Sequence, residues 1–246
     1  MQMASTTPSE ISQTVRYQPF FSPVNNESHG IVYQSIPNII IFGETGVGKS
    51  SVINLILGTD EAKVGNSARG ETFESSAYSV EIDGKSYILH DTAGFGEHSS
   101  GTVDSARAVG NLYRLVTDLS SSEGVNLLVF VIKCGRLTET MDKNYKLFRR
   151  GFCDSKVPIV IVVTGCENVE PTMDTWWTKN KESFTEAGML FSAHACVCAY
   201  RGSKMQNGGY RNEDLVKESV EVAKQLVKHC TSNGWKRVRQ PSVPNH

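Results

Sequence analysis

A three-layer α/β fold, a mostly parallel sheet with one antiparallel strand between two layers of helices, is predicted by three features of this 246-residue chain. Short β-branched runs alternate with amphipathic helical stretches, a pattern that parallel strands joined by helical crossovers satisfy. Two of the runs, residues 125–132 (interrupted only by Asn126) and 158–163, are near-continuously apolar, as expected of strands buried on both faces. An Asp83-Gly84 pair separates two strand-like runs, and Asp-Gly is a strong two-residue hairpin signal that supplies the antiparallel strand.

In chain order, residues 1–36 come first, with only three charged side chains (Glu10, Arg16, Glu27) and no lysine. Beyond Pro19-Phe20-Phe21 they show no helical or strand periodicity, so this polar extension is expected to be mobile. Docking of Phe20, Phe21 and Tyr33 onto the domain is the alternative to a partner-binding motif. One domain then spans residues 37–235. It opens with a strand over 38–42 and a helix over 49–57, with Val52, Ile53, Leu55 and Ile56 at helical spacing. The hairpin occupies 77–82 and 85–90. Helices are expected near 102–119, 139–150, 174–187 and 213–230, the last with a broad stripe including Leu215, Val216, Ala223, Leu226 and Val227. In the helix expected over 174–187, Trp176 and Trp177 cannot both face the core, so one packs inward and one sits at a rim. Residues 236–246 read as a tail with a short basic cluster.

Lys+Arg total 25 against 26 Asp+Glu, a net charge of −1, which excludes a general nucleic-acid or membrane-surface binder. No run approaches the roughly 18 apolar residues of a membrane helix, and no secretory signal pattern is present. The six cysteines form no CxxC pair, which fits a reducing, cytoplasmic setting. Cys196-Val197-Cys198 with His194 could form a ligand cluster, but buried packing is the preferred reading.

The chemistry begins where the first strand ends. Gly43-Glu44-Thr45-Gly46-Val47-Gly48-Lys49-Ser50 matches GxxxxGK[ST] in full, with an apolar strand entering and an amphipathic helix leaving. Backbone N–H groups of such a loop turn inward around a phosphate, and the helix N-terminus adds its positive dipole end. Lys49 reaches the β- and γ-phosphates, and the Ser50 hydroxyl ligates Mg²⁺. A second strand ends at Asp91 and continues as Asp91-Thr92-Ala93-Gly94, a DxxG pattern 42 residues beyond Lys49. Its carboxylate suits a Mg²⁺ partner, and the Gly94 N–H suits contact with a γ-phosphate.

The pair resembles the translation-factor-like (TRAFAC) class of P-loop GTPases. Within it, the stretch Phe42 to Asn54, which continues past the loop through Ser51, looks like the AIG1/GIMAP, Toc and septin-like G domains. The resemblance implies binding of GTP and GDP, Mg²⁺ dependence, switch segments, and in many members a homodimer across the nucleotide face. It places the first switch at residues 68–74, with Thr72 joining Ser50 and Asp91 around Mg²⁺ and Arg69 as a candidate arginine finger; a solvent-exposed loop threonine and an ordinary surface arginine are the alternatives. It also expects N/TKxD after the run ending at Val163, where this chain has Thr164-Gly165-Cys166-Glu167. Glu167 offers the guanine-reading carboxylate on a longer stem, with capping as its alternative role. A short base-reading loop is expected at residues 195–200.

Phe95 follows DxxG where fast small GTPases carry a water-orienting glutamine, and a phenyl ring cannot make that hydrogen bond. Glu97 and His98 are polar candidates nearby. The expected function is therefore a GTP-binding switch with slow, Mg²⁺-dependent hydrolysis and an effector the sequence does not identify. A non-hydrolysing nucleotide-binding scaffold or dimerisation module, or an ATPase, is the alternative.

Overall fold

The structure, a computed structural model, describes residues 21–24, 32–60, 62, 76–94, 102–206, 208–229 and 234–236. Its first two strands, Phe21–Val24 (β1) and Val32–Ser35 (β2), pair antiparallel as a separate two-stranded sheet. The sequence predicts no strand here, so this is a correction. The strands are four residues long and one carries Pro23, which suppresses a strand reading although an edge of a two-stranded pair tolerates proline.

The domain proper runs β3 (Asn38–Gly43), α1 (Lys49–Leu57), β4 (Ser76–Ile82), β5 (Lys85–Asp91), α2 (Thr102–Ser121), β6 (Leu127–Lys133), α3 (Glu139–Lys146), β7 (Ile159–Thr164), α4 (Thr175–Glu186), β8 (His194–Val197) and α5 (Glu213–Val227). The sheet order is β4-β5-β3-β6-β7-β8, with β4 antiparallel to β5 through the Asp83-Gly84 turn and every other pair parallel. The central strands β3, β6 and β7 carry apolar residues on both faces, and both faces are covered. Ile39, Ile41, Val129 and Val162 pack with α1 and α5 residues such as Ile53, Ile56, Leu226 and Val227. Ile40, Phe42, Phe130 and Ile161 pack with α2, α3 and α4 residues such as Leu115, Tyr145 and Phe184. The predicted three-layer α/β architecture is the one observed.

Two predicted boundaries shift for identifiable reasons. The helix expected over 139–150 stops being α-helical at Lys146 and continues as a π turn over Leu147–Phe152, closed by the Cys153 N–H donating to the Phe148 carbonyl. The wider turn lets both Phe148 and Phe152 reach the core, where Phe148 stacks on Phe42 at 3.6 Å between ring centroids. The strand expected from residue 125 starts at Leu127, and Val125 instead bridges antiparallel to Trp235. Trp176 and Trp177 are both half-buried against the aromatic cluster around Phe184, Trp177 also stacking on His194.

A buried polar network links the start of β3 and the residues just before β6 to the far half of β5. The Asn38 N–H donates to Asn126 Oδ1, and Asn38 Nδ2 donates to the Gly124 carbonyl. The Asn38 Oδ1 is then an acceptor, so His90 Nε2, 2.9 Å away, carries the proton. His90 Nδ1 is buried without a hydrogen-bond partner, and burial pulls the imidazole down to about 4 from 6.5. A depressed folded-state value means the unfolded chain binds the proton first, so stability is full above pH 6.5 and is lost as pH falls toward 4. The expected loss from this one group is about 3 kcal/mol across that window. Denaturant titrations should show that His90→Gln, which keeps a donor to Asn38 but cannot titrate, flattens the dependence of unfolding free energy on pH between 6.5 and 4.

Candidate functional site

Parallel register brings five strand ends to one edge of the sheet. Ile41 of β3 faces Asp91 of β5, Gly43 faces Val131 of β6, Lys133 faces Thr164 of β7, and Thr164 faces Val197 of β8. This is the edge where open α/β sheets place ligands, beside the strand from which the order departs in both directions.

Gly43, Glu44, Thr45, Gly46, Val47 and Gly48 form the loop between β3 and α1, and Lys49, Ser50 and Ser51 open the helix. Lys49 is folded back and buried, 8% exposed, with its Nζ donating to the Glu44 carbonyl at 2.9 Å and the Gly43 carbonyl at 3.4 Å. Burial lowers its pKa to about 8, against the opposing pull of the Asp91 and Glu44 carboxylates. Ser50 Oγ donates to Asp91 Oδ2 at 2.8 Å, joining the loop to the end of β5. Asp91 is itself buried, which raises its pKa despite the Ser50 hydroxyl and Lys49, and its Oδ1 has no hydrogen-bond partner. Thr92 Oγ1 donates to the Ile41 carbonyl at 2.8 Å and fixes the exit of β5. Gly94 then lies against the loop so closely that a Cβ there would stand 2.5 Å from Thr45 Cα. The GxxxxGK[ST] and DxxG segments, 42 residues apart from Lys49 to Asp91, therefore meet at one place, where an ammonium, a hydroxyl and a carboxylate stand together.

At the opposite rim, Thr164 is buried and its hydroxyl approaches the Val47 carbonyl at 2.6 Å and the Ile132 carbonyl at 3.1 Å. It braces the phosphate-type loop from below. Glu167 is half-buried near the Cys134 and Cys198 thiols. Thr72, Arg69, Phe95, Glu97 and His98 lie outside the described residues. His194 turns away from Cys196 and Cys198 to pair with Asp174 at 2.8 Å, while both thiols are buried in the core. Among the described residues no group of three His, Cys, Asp or Glu side chains could hold a metal ion.

Three supporting residues are absent from the sequence reading. Thr138 caps α3 by accepting from the Met141 N–H, and its own hydroxyl donates to Glu44 Oε1 at 3.1 Å. Asn212, at the start of α5, donates from Nδ2 to the Tyr200 carbonyl and from its backbone N–H to the Arg201 carbonyl. Ser219, buried on α5, accepts from the Cys198 N–H at 2.8 Å. Asn212 and Ser219 clamp the loop after β8. A cap residue before the acidic pair Glu213-Asp214 and a serine inside an apolar stripe were the available signals.

Comparison with known proteins agrees with this geometry. Residues 38–165 match the family described as "50S ribosome-binding GTPase". GTPase IMAP family member 8 of Mus musculus is 24% identical over 201 residues, 80% of this chain and 28% of that protein. Immune-associated nucleotide-binding protein 10 of Arabidopsis thaliana is 29% identical over 207 residues, 82% of this chain and 42% of that protein. The chain thus spans less than half the length of either relative. Among solved structures, Aquifex aeolicus Era bound to GDP·AlF4⁻ superposes with a TM-score of 0.56 at 17% identity, covering 85% of this chain and 60% of that one. At that identity the likeness shows the fold.

Proposed function

The chain belongs to the 50S ribosome-binding GTPase family, a TRAFAC-class P-loop GTPase domain, and we propose on that premise that it is a nucleotide switch that binds GTP and GDP with Mg²⁺ and hydrolyses GTP slowly. The observation that carries the proposal is the 2.8 Å Ser50–Asp91 hydrogen bond beside buried Lys49, which brings both motifs to one point. A hydroxyl and a carboxylate are hard oxygen donors of the kind Mg²⁺ takes, and the unpartnered Asp91 Oδ1 leaves acceptor capacity for it. Ser50 and Asp91, with Thr72, would hold the ion, which when bound neutralises charge on the phosphate oxygens. Lys49 would exchange its two carbonyl partners for the β- and γ-phosphates, and the Gly94 N–H would meet the γ-phosphate.

Arg69 would stabilise charge as the phosphoryl group departs, in cis or across a homodimer formed over the nucleotide face. Glu167 would accept from the guanine N1–H and exocyclic amine, and its carboxylate would repel the adenine N1 lone pair, which weighs against an ATPase. Phe95 favours a second reading, a nucleotide-binding scaffold without turnover, because its ring cannot orient water. A cytoplasmic location belongs to the same proposal and is supported by the free thiols at Cys134, Cys153, Cys166, Cys196 and Cys198. Among the described residues no helix is long and apolar enough to cross a membrane.

Single-turnover assays with Mg²⁺ should give hydrolysis of about 10⁻⁴ s⁻¹ or less, at or below the unassisted rate of a small GTPase that has the water-orienting glutamine. GTP left intact indefinitely would select the scaffold reading, and unchanged hydrolysis in Arg69→Ala would remove the finger role. Asp91→Asn should abolish the Mg²⁺ stimulation of nucleotide affinity, a loss of about tenfold or more in a titration with and without chelator. An unaltered Mg²⁺ response would exclude Asp91 from the metal site.

A further inference from the structure

We propose that Lys133 supplies the aliphatic stem that the base-recognition segment lacks, packing against the face of a bound guanine from the neighbouring strand. The inference rests on the guanine-nucleotide reading above and concerns a residue to which neither the motif nor the resemblance gives a role.

The second position of Thr164-Gly165-Cys166-Glu167 is a glycine at φ +76°, so this segment has no side chain of its own to lay along a base. The space above it is not open. A Cβ at Gly165 would have Lys133 Cγ at 3.7 Å and Cε at 3.8 Å, ordinary van der Waals contact, as its nearest neighbours. The Lys133 stem therefore runs over the spot from which a side chain at residue 165 would start.

The register makes this placement a fixed property of the sheet. Lys133 and Thr164 are partners on parallel β6 and β7, and the Cys134 N–H donates to the Thr164 carbonyl at 2.7 Å. Lys133 is the exposed last residue of a strand whose first six residues are buried. Its methylenes are not recruited to the core, and no ion pair holds its ammonium among the described residues. Long basic side chains commonly lay their stems along apolar surface while the charged head stays wet. A purine face is such a surface, and an ammonium above its π system adds attraction.

The test is a titration of the full chain with fluorescent GDP, comparing parent, Lys133→Ala and Lys133→Met, with a melting curve for each. Lys133→Ala should weaken GDP about tenfold, and Lys133→Met, which keeps the stem without the charge, should recover to within about threefold of the parent. Melting midpoints should coincide, since the side chain is exposed and outside the core. Lys133→Ala binding as tightly as the parent would overturn the inference, as would Lys133→Met binding as weakly as Lys133→Ala, because charge rather than stem would then be acting. A parent that does not bind GDP would overturn the functional reading as well, so the two failures are separable.

Discussion

Lys49→Ala should abolish measurable binding of GTP and GDP while leaving the nucleotide-free fold intact. The wild-type ammonium is 8% exposed and held by two backbone carbonyls, an arrangement whose desolvation cost already pulls its pKa to about 8. Removing it relieves that cost in the free protein, so the melting midpoint should be unchanged or slightly raised. In the complex the same deletion leaves phosphate oxygens without their charged donor, a loss of roughly 3–4 kcal/mol or about 100- to 1,000-fold in affinity. The depressed value adds a pH signature. Phosphate stabilises the charged form, so the bound pKa lies above about 8, and the free protein must take up a proton on binding once pH exceeds that value. Affinity should be flat below pH 8 and fall by up to tenfold per unit above it. Calorimetry in buffers of different ionisation enthalpy reads the proton uptake directly, and a pH-independent affinity through pH 9 would remove this role from Lys49.

Gly43→Ala should be the most damaging single change at the site, through the fold and not through chemistry. Gly43 is the last residue of β3 and faces Val131 of β6. A Cβ there would stand 2.1 Å from the Val131 carbonyl oxygen and 3.2 Å from Val47 Cγ2. The first neighbour is backbone of a central strand at buried Val131, which cannot rotate away as a side chain would. Relief requires β3 and β6 to separate or the loop to detach, at a cost of about 4 kcal/mol or more. That is a large part of the 5–15 kcal/mol that holds a typical domain together. Gly46→Ala is the control: it meets no atom within 4 Å, so only its φ of +77° is strained, at roughly 1 kcal/mol. Chemical denaturation should therefore rank Gly43→Ala far below Gly46→Ala, and near-equal stabilities would contradict the close approach of β3 and β6.

The part of this architecture that is legible in the sequence is the part carried by local pattern. The run from β3 through the loop into α1 combines β-branching, glycine spacing and helical periodicity within twenty residues, and the Asp83-Gly84 turn fixes its own hairpin. What escapes is set by contacts between residues distant in sequence. The Thr138–Glu44 hydrogen bond spans 94 positions, and Thr164 reaches Val47 across 117. Neither residue type demands those partners, so no window of sequence contains the information. Lys133 is a sharper case. It reads as the polar terminator of an apolar strand, and only register places its stem over Gly165. The β1–β2 pair is hidden for a different reason, because four-residue strands offer too short a period and Pro23 argues against one of them.

On the proposed function, the edge built from the loop after β3 and the end of β5 is a guanine-nucleotide site. Isothermal titration of the purified chain, stripped of nucleotide and supplied with Mg²⁺, against GDP and then ADP tests it most directly. One site per chain is expected, with GDP bound at least about tenfold more tightly than ADP, since the carboxylate that accepts two hydrogen bonds from guanine leaves them unmade with adenine. Equal affinity for the two, or tighter binding of ADP, would contradict it.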